Sequence, residues 1–141
     1  MRDLSLLDKI IVGRVEPHIY AFTTNTIPNY IKIGDTYRPV SIRLDEWKKY
    51  YPELEKKYDT KAMVSDDIFF RDYSVHQFLE HNLQKTRLKP SDIGEGIYFS
   101  NEFFKDTSLV DIDSAIKDIK NDYDENLMKY QFYNAKDSLR V

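Results

Sequence analysis

The stretch from His18 to Gly34 constrains the fold of this chain most. Two short β-type runs, His18–Phe22 and Tyr30–Gly34, flank Thr23-Thr24-Asn25-Thr26-Ile27-Pro28-Asn29, a segment rich in turn formers. Two such runs joined by such a loop predict a β-hairpin. Strand side chains alternate, so Ile19 and Ala21 share one face with Ile31 and Ile33, and that is the expected core face. The opposite face then carries His18, Tyr20 and Phe22 beside Tyr30, Lys32 and Gly34. Two tyrosines and a lysine on the non-core side predict a polar, reactive surface.

The rest of the chain supplies the layers that cover such a hairpin. Arg38-Pro39 opens a helix, with Val40, Leu44, Trp47 and Tyr51 as its buried stripe and Arg43 at the stripe's edge. Glu53 to Tyr58 reads as a further helical turn, and Lys61 to Ser65 as a third strand. Asp66-Asp67 caps the next expected helix, which runs to about Lys85 with Phe69, Val75, Leu79 and Leu83 facing inward. A loop over Pro90 to Gly96 and a short extended piece, Ile97–Phe99, follow. Ile112, Ala115, Ile116, Ile119, Tyr123 and Leu127 then recur at helical spacing, predicting a long amphipathic helix over 111–131. This order of elements predicts an α+β fold: a small three-stranded antiparallel sheet flanked by helices, with a C-terminal amphipathic helix.

Composition narrows the chemistry. At 141 residues the chain fits one domain able to bury its own core. With no cysteine, disulfides and thiolate metal sites are excluded. No run approaches the ~20 apolar residues needed to span a bilayer, and the segment Met1 to Gly13 is too short and too charged for a signal peptide, so a cytoplasmic protein is expected. The net charge of −3 argues mildly against nucleic acid. Its distribution softens the objection: residues 1–105 hold 16 basic and 16 acidic side chains, whereas residues 106–126 hold seven acidic and two basic. A neutral domain can bind phosphate through a local basic patch, weakly and with strong salt dependence. The acidic outer face expected for the last helix, with Asp118 and Asp122, should turn DNA toward the opposite side.

Read together, several motifs are recognisable. His18-Ile19-Tyr20, then Lys32-Ile33-Gly34, then Arg43, then Asp72-x-x-x-His76 and Asn101-Glu102-Phe103-Phe104 stand in an order and spacing that resembles the GIY-YIG nuclease family. The resemblance covers roughly residues 17–105. It is to the phage-associated branch, which favours Lys-Ile-Gly in the second motif. The family's three-stranded sheet flanked by helices agrees with the periodicity. The resemblance implies hydrolysis of DNA phosphodiester bonds with one Mg²⁺ or Mn²⁺. On that analogy Tyr20 accepts a proton from the attacking water, Arg43 contacts the scissile phosphate and Glu102 holds the metal. Arg38 and Tyr30 are the expected substrate contacts.

Two departures matter. His18 stands where the first motif has glycine, and Lys32 stands where the second has tyrosine, which passes proton shuttling to Lys32 or His76. A tyrosine is a weak base at neutral pH unless a nearby cation favours its phenolate, and Lys32 on the adjacent strand is such a cation. An arginine fork matches phosphate oxygens, and a single carboxylate completed by water suits Mg²⁺ or Mn²⁺. His76 keeps three readings: catalytic helper, core residue, or partner of Glu80 in a surface metal site. The rival from another class is a non-catalytic module that binds nucleic acid or docks a partner on the same scaffold. This branch often precedes helicase or restriction modules, so the chain is also expected to be the N-terminal part of a larger protein.

Overall fold

A computed structural model of the chain describes residues 16–135. The N-terminal apolar run and most of the segment from Asn134 to Val141 therefore lie outside the described residues. Strands β1 (His18–Thr23) and β2 (Tyr30–Thr36) form the expected hairpin, with Ala21 opposite Ile33 and Tyr20 opposite Gly34. Helix α1 (Val40–Trp47) follows, then β3 (Glu55–Lys61), the two-residue β4 (Ile68–Phe69), α2 (Asp72–His81), β5 (Phe103–Lys105), α3 (Leu109–Glu125) and β6 (Tyr133–Asn134). The main sheet is antiparallel, in the order β3-β1-β2-β5, and β4 pairs with β6 in a separate ribbon. The α+β architecture is thus present, with four strands in the main sheet rather than three.

Several local expectations change. Glu55–Lys61 is an edge strand, where a helical turn was expected over part of this segment. Its sequence, Glu-Lys-Lys-Tyr-Asp-Thr-Lys, is mostly exposed, and charged edges of this kind discourage pairing with other chains. Lys61 to Ser65 contributes only the end of that strand. Asp66-Asp67 does not cap α2, because β4 intervenes and Phe69 belongs to it. The helix begins at Asp72 instead, and its cap comes from a distant element: the Asp72 backbone N–H donates to Asp35 Oδ2 at 3.0 Å, at the end of β2. Ile97–Phe99 adopts no regular strand. Helix α3 stops at Glu125, followed by Asn126 in the left-handed conformation (φ 53°), so Leu127 is an exposed loop residue.

The largest difference concerns the sheet's second face. One face packs Ile19, Ala21, Ile31 and Ile33 against Val75 and Leu79 of α2 and Ile112, Ile116 and Ile119 of α3, as expected. The other is no open surface. Tyr20 and Phe22 are buried with Val40, Leu44, Trp47, Tyr51, Leu88 and Phe103 in a second core beneath α1. Tyrosine and lysine each have an apolar body with a polar tip, so alternation alone does not reveal whether such a face is wet or covered. The acidic face of α3 also differs: Asp122 is buried and accepts the backbone N–H groups of Lys129 and Tyr130, closing the loop after the helix.

Candidate active site

Tyr20, on β1, and Lys32 and Gly34, on β2, project into this second core, where the backbone approaches side chains closely. A Cβ on Gly34 would lie 2.6 Å from Tyr20 Oη and 2.8 Å from Lys32 Nζ. Only glycine leaves room for both groups. Tyr20 is 1% exposed and Lys32 0%. Their polar ends meet: Lys32 Nζ donates to Tyr20 Oη at 3.4 Å, and Trp47 Nε1 donates to the same oxygen at 2.7 Å. Gly34→Ala is expected to cost about 1–3 kcal/mol, as overpacking does, and to displace the Tyr20 hydroxyl. A thermal melt and a cleavage assay check this, and a variant equal to the parent in both would contradict it.

Lys32 cannot stay buried without a counter-charge, and Glu102 provides it. Nζ lies 2.7 Å from Glu102 Oε1, and the Glu102 side chain keeps 25% exposure. Glu102 sits just before β5, and its carbonyl accepts the Ile33 N–H at 3.0 Å. The Ile33 carbonyl accepts in turn from His76 Nε2 at 2.8 Å, so one peptide segment of β2 ties the Glu102 loop to α2. Because a carbonyl can only accept, Nε2 carries the proton and Nδ1 keeps its lone pair. Burial pushes the His76 imidazole down to about 4, so it is neutral at neutral pH.

Asp72, one helical turn before His76, completes the group. One ligand-capable atom from each of Asp72, His76 and Glu102 lies within 4.8 Å of the others. Asp72 is 4% exposed and His76 1%. Burial first, then the neighbouring carboxylates of Asp35 and Glu102, push the Asp72 carboxyl up to about 8. Burial alone would raise the Glu102 carboxyl, but the charge and hydrogen bond of Lys32 outweigh it and hold the carboxyl below the usual range. Asp72 Oδ1 and His76 Nδ1 are buried atoms with no hydrogen-bond partner among the described residues. Each such atom costs about 1–3 kcal/mol if nothing binds it. Two of them beside one carboxylate are what a bound cation would satisfy, so the residues present fit a divalent ion.

The arginines lie at the rim. Arg43 Cζ stands 5.0 Å from the centre of the Trp47 ring, which also contacts Tyr20 and, at 4.2 Å from the ring centre, Lys32 Nζ. Trp47 thus joins Arg43 to the Tyr20–Lys32 pair. Arg43 also donates to Glu46 at 2.9 Å, and Arg38 grips the same carboxylate with two bonds of 2.7 and 2.8 Å. These hydrogen bonds, Arg38's first, hold the exposed Glu46 carboxyl down at about 2.

Of the residues singled out in the sequence, Tyr20, Lys32, His76 and Glu102 come together, and Arg43 joins them through Trp47. Arg38 stands outside, committed to Glu46. Tyr30 is half-buried toward the far end of β2 and lines a cleft of about 450 Å³ with Thr24, Asn29 and Ser108. No hydrogen bond among the described residues links Tyr30 to the cluster. Glu80 pairs with Arg87 at 2.9 Å rather than with His76. Sequence reasoning gave no role to Trp47, read as stripe, or to Asp72, quoted only as part of a motif. The signal for both was spacing: Trp47 stands four residues after Arg43, and Asp72 four before His76. No helix among the described residues is long and apolar enough to cross a membrane. Compared with family models, with curated proteins and with solved structures, the chain matches none.

Proposed function

We propose that this chain is a divalent-metal-dependent endonuclease that hydrolyses DNA phosphodiester bonds. The observation that carries the reading is the convergence of Tyr20, Lys32 and Glu102 beside two buried atoms, Asp72 Oδ1 and His76 Nδ1, that lack hydrogen-bond partners among the described residues. The order and spacing of the four motif pieces, with Arg43 between the second and third, resemble those of GIY-YIG nucleases and support it. Glu102, with Asp72 and His76 beside it, would hold the ion. A divalent ion so bound neutralises charge on the phosphate and on the leaving oxygen.

The chain's own groups take the other parts. Tyr20 Oη, fixed by Trp47 Nε1 and Lys32 Nζ, would take the proton of the attacking water as the phenolate and become the neutral phenol. Lys32 orients that oxygen and, through Glu102, keeps the acceptor and the carboxylate in register. Arg43 is the phosphate contact: among the described residues one of its terminal nitrogens is engaged, by Glu46, and its guanidinium lies over the Trp47 ring. Phosphoryl chemistry depends on such positioning and charge stabilisation more than on covalent participation by the protein.

A second reading is a binding module without catalysis, on DNA or on a protein partner. It is favoured by the near-complete burial of Tyr20 and by the hold of Glu46 on both arginines. Incubation of supercoiled plasmid with the purified chain separates the two. Nicked or linear product with Mn²⁺ or Mg²⁺, suppressed by a chelator, is expected. Binding of DNA without cleavage under any divalent ion would overturn the nuclease and leave the module.

A further inference from the structure

We infer that Asp72, His76 and Glu102 form one three-ligand metal site that selects a divalent transition ion, Mn²⁺ or Co²⁺, over Mg²⁺. The inference rests on the metal-dependent reading above and deepens it, from one carboxylate ligand to a set of three with a nitrogen donor.

The geometry of His76 carries the argument. A metal-bound histidine nearly always donates its second ring N–H to a carboxylate, a backbone carbonyl or water, which fixes the tautomer and aims the other nitrogen. His76 is built this way: Nε2–H is spent on the Ile33 carbonyl at 2.8 Å, and Nδ1 is buried with no hydrogen-bond partner among the described residues. The ring is also clamped by packing, its centre 5.0 Å from that of Phe104. A core histidine with no ligand to bind would more cheaply be an apolar side chain, since the orphaned nitrogen loses its hydration for nothing.

Asp72 makes the matching case one turn earlier on the same helix. It opens α2, so its backbone N–H is already satisfied by Asp35, and Arg71 beside it is bound to the same carboxylate at 2.9 Å. Asp72 is therefore not needed as a helix cap. Its Oδ1 lies buried near Glu102 with no hydrogen-bond partner among the described residues. The i,i+4 spacing on α2 stacks Asp72 and His76 on one side of the helix, and Glu102 closes the third side.

The donor set decides the ion. Mg²⁺ demands oxygen ligands and usually keeps several waters, whereas imidazole nitrogen suits the transition ions. Two carboxylate oxygens and one imidazole nitrogen favour Mn²⁺, and Co²⁺ more strongly, in the order common to such sites. Among the described residues no second cluster of three such side chains approaches this geometry.

Calorimetric titration of the purified chain with MnCl₂ and with MgCl₂ tests this without reference to cleavage. Mn²⁺ is expected to bind at least about tenfold more tightly than Mg²⁺. His76→Asn should weaken Mn²⁺ by more than about tenfold, because even partners outside the ligand set cost that much, and leave Mg²⁺ nearly unchanged. Asp72→Asn, close to isosteric, should weaken both ions, and it serves if His76→Asn fails to fold. In the Co²⁺-loaded parent, one exchangeable, strongly shifted proton resonance is expected from His76 Nε2–H. Equal affinity for Mn²⁺ and Mg²⁺ and no shifted resonance would overturn the inference. So would folded variants that bind Mn²⁺ like the parent. Mg²⁺-supported cleavage indifferent to His76 would overturn it while the nuclease reading stood. His76-dependent Mn²⁺ binding without cleavage of any DNA would support the site and overturn the nuclease.

Discussion

Glu102→Gln is expected to lower metal-dependent cleavage by about 10²–10³-fold or more, the loss typical when one preorganised electrostatic group is removed from a reacting centre. The substitution keeps the size and shape of the side chain. It also keeps an acceptor oxygen for Lys32, 2.7 Å away in the parent. What it removes is the negative charge at the most exposed point of the cluster, where a phosphate and an ion would meet. The effect should therefore fall on turnover and metal affinity, and on stability as well, because the fully buried Lys32 loses its counter-charge. Single-turnover cleavage of a labelled duplex, beside a thermal melt, makes the comparison. Cleavage within about tenfold of the parent, far below the loss expected for a charge at the reacting centre, would remove Glu102 from the mechanism.

Lys32→Met should act first on stability. A fully buried ammonium is tolerated because Glu102 pairs with it and because Trp47, Tyr20 and Phe22 present ring faces at 4.2, 5.2 and 6.0 Å. Methionine fills the same apolar channel but leaves the Glu102 carboxylate beside Asp72 with no cation. The expected loss is about 3 kcal/mol, the low end for breaking a buried pair, since Glu102 retains part of its hydration. Adding Glu102→Gln to Lys32→Met removes the orphaned charge and should restore roughly 0.5–3 kcal/mol, the usual range for directly coupled residues. Urea unfolding of the parent, both single variants and the double variant measures that coupling. Strict additivity would show that the 2.7 Å contact contributes nothing to stability, and the burial of Lys32 would then need another cause.

These two variants also show what the sequence could and could not reveal. Tyr20 and Lys32 were readable as neighbours because pleat alternation puts them on one face of a hairpin whose loop is plainly marked. The apolar stripes of α1 and α3 were readable for the same reason, periodicity. Strand β3 was not, because an edge strand carrying Glu55, Lys56, Lys57 and Lys61 has no buried face to impose alternation. The burial of the second face was hidden by the dual nature of tyrosine, tryptophan and lysine side chains. The pairing of Lys32 with Glu102, and the approach of Asp72, depend on how β2, β5 and α2 pack, and no local pattern encodes a contact between elements so far apart in sequence. Arg43 was found by spacing alone, and its tie to the cluster runs through Trp47, whose indole does two jobs at once.

The double attachment of the Ile33 peptide segment has a consequence for how this chain can vary. Its N–H holds the Glu102 loop and its C=O holds His76, so the placement of both is written into the hydrogen-bond register of β2. A slip of one residue would exchange the two faces of the strand, sending Ile33 toward Trp47 and Lys32 toward the helices. No conservative replacement at a single side chain could repair that, because the error would lie in the backbone count. Lengthening or shortening the hairpin should be harmless only within the loop over 24–29, outside the paired strands. The tolerance of this protein to insertions is therefore set by arithmetic along one strand, and the chemistry inherits it.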